Sequence, residues 1–234
     1  MMKVRALIVQ FVVIPLLCCY GSPPANELPM YGEGLKSPEV QKANLEFVDW
    51  AVKECGNREK ASDGYVELGW KYYDRNDLST AMKRFNQAWL LNTNNADAYQ
   101  GLGAIVGRRA ETEADIRQSV TLLKIAKEKA PENGRITIDL AVSHMTLGAF
   151  LNFKKKKGAE DEFSKAQDLF DEAMKTESAN SNLYYNCSAL ELYRGNYLSA
   201  KAKLDEAVRL GYTPSPSFLK DMDHLKELSE RNTK

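Results

Sequence analysis

From residue 38 to residue 231 the apolar positions recur at three- and four-residue intervals, the spacing of one face of a helix. No stretch alternates apolar and polar residues as a half-buried strand does. Ser37-Pro38-Glu39 has the form of an N-cap followed by proline at the first helical position. That helix is expected to run to Cys55 and stop at Gly56, with Val40, Ala43, Leu45, Phe47, Val48, Ala51 and Val52 as its apolar face. At the other end Pro214 and Pro216 break the pattern. Residues 217–231 then place Phe218, Leu219, Met222, Leu225 and Leu228 along one side of a charged helix.

Between these ends the sequence repeats itself. Tyr65, Leu68 and Gly69 return, in the same order and at one constant interval, as Tyr99, Leu102 and Gly103. The order Leu68, Gly69, Tyr72, Ala81, Phe85, Ala88 predicts two helices of roughly 14 residues joined at Arg75-Asn76-Asp77. It resembles the tetratricopeptide repeat, with Tyr65 where that family usually has tryptophan. The residue types have physical reasons: Gly69 and Ala81 let two antiparallel helices approach, and Ala88 lets the next unit dock. Tyr72 and Phe85 fill the gaps. A second unit starts near Ala96 and closes on Ser119, Leu123, Ala126 and Pro131. A third starts near Gly134, with Leu140 and Ala141 at the small-residue pair, and closes on Ala166, Phe170 and Ala173. A fourth starts near Ser181 and closes on Ala200, Leu204 and Ala207. The steps from Ala88 to Ala126 and from Ala126 to Ala173 both exceed the step from Ala173 to Ala207, the second by more than the first. The second and third units therefore each carry an insertion. The shorter insertion is expected around Arg108–Glu113. The longer one, around Gly148–Asp161, is expected to lengthen the connection between the helices of the third pair. The resemblance implies an all-α tetratricopeptide-repeat solenoid of about four helix pairs over 62–213. Capping helices at 38–61 and 214–234 would cover its two ends, because an end repeat otherwise exposes half a core.

The first segment differs in kind. Lys3 and Arg5 precede an apolar run from Ala6 to Leu17, broken by one polar residue, Gln10. A positive start and a short apolar core are the pattern of a secretory signal. The run falls well short of the ~20 residues that a spanning helix needs. It ends Leu16-Leu17-Cys18-Cys19, which resembles the bacterial lipobox with Leu16 three places before Cys19. This predicts a lipoprotein-type signal over 1–18, lipidation of Cys19, and a flexible proline- and glycine-containing tether over 19–37. Simple secretion, with cleavage near Gly21 or Ala25, is the alternative.

Charge and composition narrow the chemistry. Lysine plus arginine equals aspartate plus glutamate at 32 each, and removing residues 1–18 leaves a net charge of −2. That balance argues against a nucleic-acid partner. His144 and His224 are the only histidines and lie far apart in the chain, so no metal site is expected. Asp221 and His224 can share a helix face, but no third ligand accompanies them. Gly101-Leu102-Gly103 imitates a phosphate loop, yet the repeat places it inside a helix. No nucleophile–base pairing is evident, so no catalytic residue and no cofactor are expected, and the chain is expected not to be an enzyme. Lys154–Lys157 is expected to be a solvated run offset by Glu160, Asp161 and Glu162, with contact to anionic lipid or an acidic polymer as the alternative. Cys55 and Cys187 each sit in an apolar helical pattern, which favours buried packing, with a bond between them as the oxidising-compartment alternative.

The resemblance also implies where a partner would lie. In this family five places of each first helix line the inner groove. They give Trp70 and Tyr73 in the first unit, Gln100 and Arg108 in the second, Met145 in the third, and Tyr185 and Tyr193 in the fourth. Large amphipathic rings at such places are typical binding anchors. The alternative is that the caps or the long third-unit helices close the groove, making the rings plain packing. The resulting expectation is a lipid-anchored protein-interaction scaffold or assembly factor of the bacterial cell envelope, with the outer membrane favoured. A soluble secreted or periplasmic peptide-binding module and an accessory subunit of an envelope enzyme are the alternatives.

Overall fold

The computed structural model describes residues 24–32, 34 and 36–232. The apolar run and Cys19 lie outside the described residues. The described chain is all-α, with no strand. Two short 3-10 turns, Ala25–Glu27 and Pro29–Gly32, precede ten helices: α1 Pro38–Cys55, α2 Arg58–Asp74, α3 Leu78–Leu91, α4 Ala96–Arg109, α5 Glu113–Lys129, α6 Gly134–Phe153, α7 Ala159–Ala173, α8 Ser181–Arg194, α9 Tyr197–Arg209 and α10 Pro216–Asn232. The contacts divide into two compact units within α6, one covering residues 20–143 and one including 144–234.

Helix starts follow from side chains that accept the orphan N–H groups of the first turn. Ser37, Asn57, Asp77, Asn95, Thr112 and Asn180 all cap in this way. At Thr112 the cap is reciprocal, because Asp115 accepts in return from the Thr112 N–H. Gly56 ends α1 at φ 91° and Gly195 ends α8 at φ 80°, conformations that glycine enters without a side-chain clash.

In the unit 20–143, α2 pairs with α3 and α4 with α5, and α3 and α4 lie against each other. Phe85 is the centre of this packing and is fully buried. Its ring lies where side chains on the flanking helices would otherwise be. A Cβ on Gly101 would stand 2.2 Å from it, and one on Gly69 2.6 Å. The expected small-residue crossings are therefore close approaches of helix to ring. Gly103 does the same for Leu123, 2.7 Å from the place of its missing Cβ. Buried serines replace glycine or alanine elsewhere and turn their hydroxyls to the facing backbone. Ser62 donates to the Ala88 carbonyl at 2.9 Å and Ser119 to that of Gly103 at 2.8 Å.

In the unit 144–234, the C-terminal half of α6 packs on α7. A Cβ on Gly148 would meet the Phe163 ring at 2.6 Å. Helix α8 pairs with α9, with Ser188 donating to the Ala200 carbonyl at 2.7 Å, and α10 packs on both. Buried His144 and Glu162 meet at 2.6 Å, and Lys165 reaches the other oxygen of Glu162 at 2.7 Å.

Several expectations are corrected. The longer insertion does not mainly lengthen a connection. It extends α6 to Phe153 and leaves only 154–158 between α6 and α7. Gly148 is inside α6, where the Phe163 ring needs it. The shorter insertion likewise falls in helices: relative to the first pair, α4 runs slightly further beyond its glycine and α5 starts earlier before Ser119. Residues 24–32 are docked rather than free. Pro29 is buried, Met30 packs against the core around Phe85, and the Asn86 amide donates to the carbonyls of Asn26 and Leu28 at 3.0 and 2.8 Å. Lys83 adds an ion pair to Glu27 at 3.1 Å. Cys55 is exposed, contrary to its expected burial, because it is the last residue of α1. Cys187 is buried, and both thiols are free.

Candidate functional site: a ring-and-guanidinium face on the first helices of the repeat

Within the unit 20–143, the first helices α2 and α4 bring three groups to one face. Trp70 and Tyr73 leave α2 at positions that share a helix side, so their rings meet edge to face at 5.3 Å between centroids. Trp70 also touches the core, its ring 5.1 Å from that of Phe85, so one side is anchored while the residue remains partly exposed. Arg108, exposed near the end of α4, lays its guanidinium 4.8 Å from the centre of the Tyr73 ring. It donates to the Tyr73 carbonyl at 3.4 Å, at the negative end of α2. Burial pushes the Tyr73 hydroxyl above the usual phenol range, and Arg108 works against that shift.

Gln100 lies about two turns before Arg108 on α4. It is buried, and its amide donates to Asp139 Oδ2 on α6 at 2.7 Å. Gln100 is therefore a strut under the face rather than a contact upon it. Asp139 is not among the residues that the repeat pattern singles out. Burial pushes its carboxyl up to about 6, against the Gln100 hydrogen bond and the charge of Arg135. Only the spacing of Arg135 and Asp139 on one helix hints at it, and such spacings are common. Asn95 completes the frame by donating to Ser62 and Asp63, each at 2.9 Å.

The unit 144–234 treats its expected residues differently. Met145 is 6% exposed and belongs to the core, so it offers no surface to a partner. Tyr185 stacks on Tyr212 at 4.3 Å and leans on Phe218 of α10 at 4.8 Å. Burial pushes its hydroxyl up to about 12. Here the C-terminal helix packs on one side of the ring, which stays partly exposed as Trp70 does. Tyr193 keeps an open edge and stacks on Phe163 at 6.3 Å. Among the described residues, no group of three metal-ligating side chains gathers. Asp223 and His224 are exposed. The Cys187 thiol is pushed up to about 12 by burial, which disfavours its nucleophilic form.

No family model matches the chain, and no curated protein matches its sequence. Its structure is similar to a solved one described as "Functional Characterization of Pseudomonas Aeruginosa pilF". The two share 20% identity at a TM-score of 0.54, over 74% of this chain and 71% of that one. The fold is accordingly all-α, of tetratricopeptide-repeat type. At that identity the likeness concerns the fold.

Proposed function

We propose that this chain is a non-catalytic protein-interaction scaffold whose contact face is built on Trp70, Tyr73 and Arg108. The observation that carries it is the arrangement of those three groups. Two partly exposed rings are held edge to face, one fixed on the core, and an exposed guanidinium lies over the other. Such groups cost little rotamer entropy to fix, and they are the types that dominate interface energies. The fold supports the reading, because helical repeats present ordered side chains along the faces of their first helices.

The finer reading is that the scaffold is held at a bacterial envelope membrane by acyl chains on Cys19. The spacing Leu16 to Cys19 after a short apolar run supports this. More than one chain is needed for durable anchoring. Mass spectrometry of the mature N-terminus tests it, with Cys19→Ser expected to move the protein to the soluble fraction. An uncut, membrane-bound Cys19→Ser chain would refute it. For the interaction face, a photo-crosslinking residue is placed at Tyr73 and, separately, at exposed Lys124 on α5, in cells. The Tyr73 site is expected to trap a discrete partner that Trp70→Ala and Arg108→Ala each reduce by about tenfold or more. Equal trapping from both sites, or trapping insensitive to both substitutions in folded protein, would remove the face from consideration.

A further inference from the structure

On sequence alone the favoured reading of the Lys154–Lys157 run is a solvated stretch offset by the acids behind it, over contact with anionic lipid or an acidic polymer. The structure changes that balance. Glu160 is taken by Arg194 at 3.0 Å, and Glu162 by His144 and Lys165 at 2.6 and 2.7 Å. Of the three acids in the first turn of α7, that leaves Asp161 against Lys154, Lys155 and Lys157, an excess of positive charge on one turn even with Lys156 set aside. The turn itself is ordered. The N–H groups of Lys154, Lys155 and Lys156 donate to Phe150, Asn152 and Leu151 at 2.9, 3.0 and 2.8 Å, with Lys155 at φ 54°. The backbone is thus satisfied locally, and the lysines are exposed.

Beside them is an aromatic residue that the core does not absorb. Phe153, the last residue of α6, is 47% exposed. The ammonium of Lys154 lies 5.4 Å from its ring centre and 5.7 Å from that of Phe150. The extension of α6 carries this group beyond the length of the other first helices. The turn offers a half-open ring among exposed lysines. It matches a diffuse negative plane with an apolar interior, because lysines near an anionic bilayer gain Coulomb energy and a ring gains by entering the interface.

We infer that the α6–α7 turn, Phe153 with Lys154, Lys155 and Lys157, is a docking surface for an anionic lipid bilayer. The inference shares its membrane setting with the lipid anchor proposed above, and it is tested without that anchor. The chain from Tyr20 to Lys234, which contains every described residue, is sedimented with vesicles of phosphatidylcholine alone or with about one third phosphatidylglycerol. Binding is expected only to the anionic vesicles and is expected to weaken with salt. Lys155→Gln/Lys157→Gln is expected to lower the partition coefficient roughly thirtyfold with an unchanged helical signal. Phe153→Ser is expected to lower it several-fold while leaving its salt dependence. The inference is overturned by absent binding to anionic vesicles, or by binding that the lysine substitutions do not alter. Equally strong binding to soluble polyglutamate would also overturn it, as that would show a polyanion site with no preference for a bilayer. None of these results bears on acylation of Cys19, which the N-terminal mass spectrum decides.

Discussion

Gly101→Ala adds one methyl group to α4, and the structure says where it must go. The new carbon would lie 2.2–2.3 Å from three atoms of the Phe85 ring. An ordinary carbon–carbon contact is ~3.5–4.0 Å, so ring and helix must separate by more than an ångström. The ring cannot retreat freely. On another side it already sits 2.6 Å from where Gly69 lacks a Cβ, and the Trp70 ring is 5.1 Å away. Overpacking at such a site costs about 1–3 kcal/mol, with the upper end expected for so short an approach. Against this, alanine in place of glycine inside a helix gains ~1 kcal/mol. Gly64→Ala isolates that gain, because Gly64 is in α2, exposed, with nothing within 4 Å of an added Cβ. Urea unfolding followed by the helical circular dichroism signal should therefore move in opposite directions for the two variants, separating them by roughly 2–3 kcal/mol. Phe85→Leu shortens the offending side chain. Combined with Gly101→Ala it should cost less than the sum of the single changes, by about 1 kcal/mol or more of coupling. If Gly101→Ala stabilises as Gly64→Ala does, the close approach of α4 to Phe85 is wrong, and the account of the repeat's small residues fails with it.

Asn86→Ala removes both hydrogen bonds that hold residues 26 and 28 on α3. Hydrogen exchange at Glu27, Leu28 and Tyr31 should then accelerate while α4 and α5 keep their protection, and unchanged protection at all three would show that Pro29 and Met30 suffice. Asp139 has a folded-state carboxyl pushed up to about 6, so the unfolded chain holds fewer protons than the folded one between about pH 4 and 6. The penalty for ionising Asp139 is thus absent below that window, grows as pH rises through it, and is fully present at neutral pH. Asp139→Asn, which keeps an acceptor for Gln100, should flatten the fall in stability from pH 4 to 6 and raise stability at pH 7; an unaltered pH profile in urea titrations would refute it.

What the sequence made legible was what repeats. The return of Tyr65, Leu68 and Gly69 at Tyr99, Leu102 and Gly103 is enough to place α2 to α5, since small and aromatic residues must recur where identical helix crossings recur. The ends of helices were legible where a cap has a fixed chemistry, as at Ser37 and Gly56. The insertions were countable but not placeable. A helix lengthened by whole turns keeps its apolar spacing, so the pattern alone does not say whether Gly148 joins α6 or a loop. Among the candidate groove residues, register was legible and surroundings were not. Tyr185 and Trp70 both map to the groove and both stay partly open, yet Tyr212 and Phe218 pack on one while Tyr73 and Phe85 hold the other. What covers a ring comes from distant chain, and no local pattern records it. Asn86 carries no signal at all, because the segment that it holds reads in sequence as a free tether.

That segment alters what an anchor on Cys19 would mean. A tether spanning 19–37 would allow the repeats to range up to about 60 Å from the bilayer, taking ~3.3 Å per extended residue. With residues 24–32 fixed on α3, the reach is set by the chain from Cys19 to Pro24 alone, at most about 18 Å whatever its conformation. With acyl chains on Cys19, the repeats would then work near the membrane surface, with α3 on the membrane-proximal side of its own unit. Two consecutive non-glycine residues in the left-handed region, Met30 at φ 51° and Tyr31 at φ 59°, show that the chain accepts an unfavourable backbone to make this docking. Each such residue costs about 1–2 kcal/mol, so the burial of Pro29, the packing of Met30 and the two Asn86 hydrogen bonds must together outweigh it. A flexible spacer would need none of these features. Their presence fits a segment that would limit how far the proposed interaction face could stand from an anchor on Cys19.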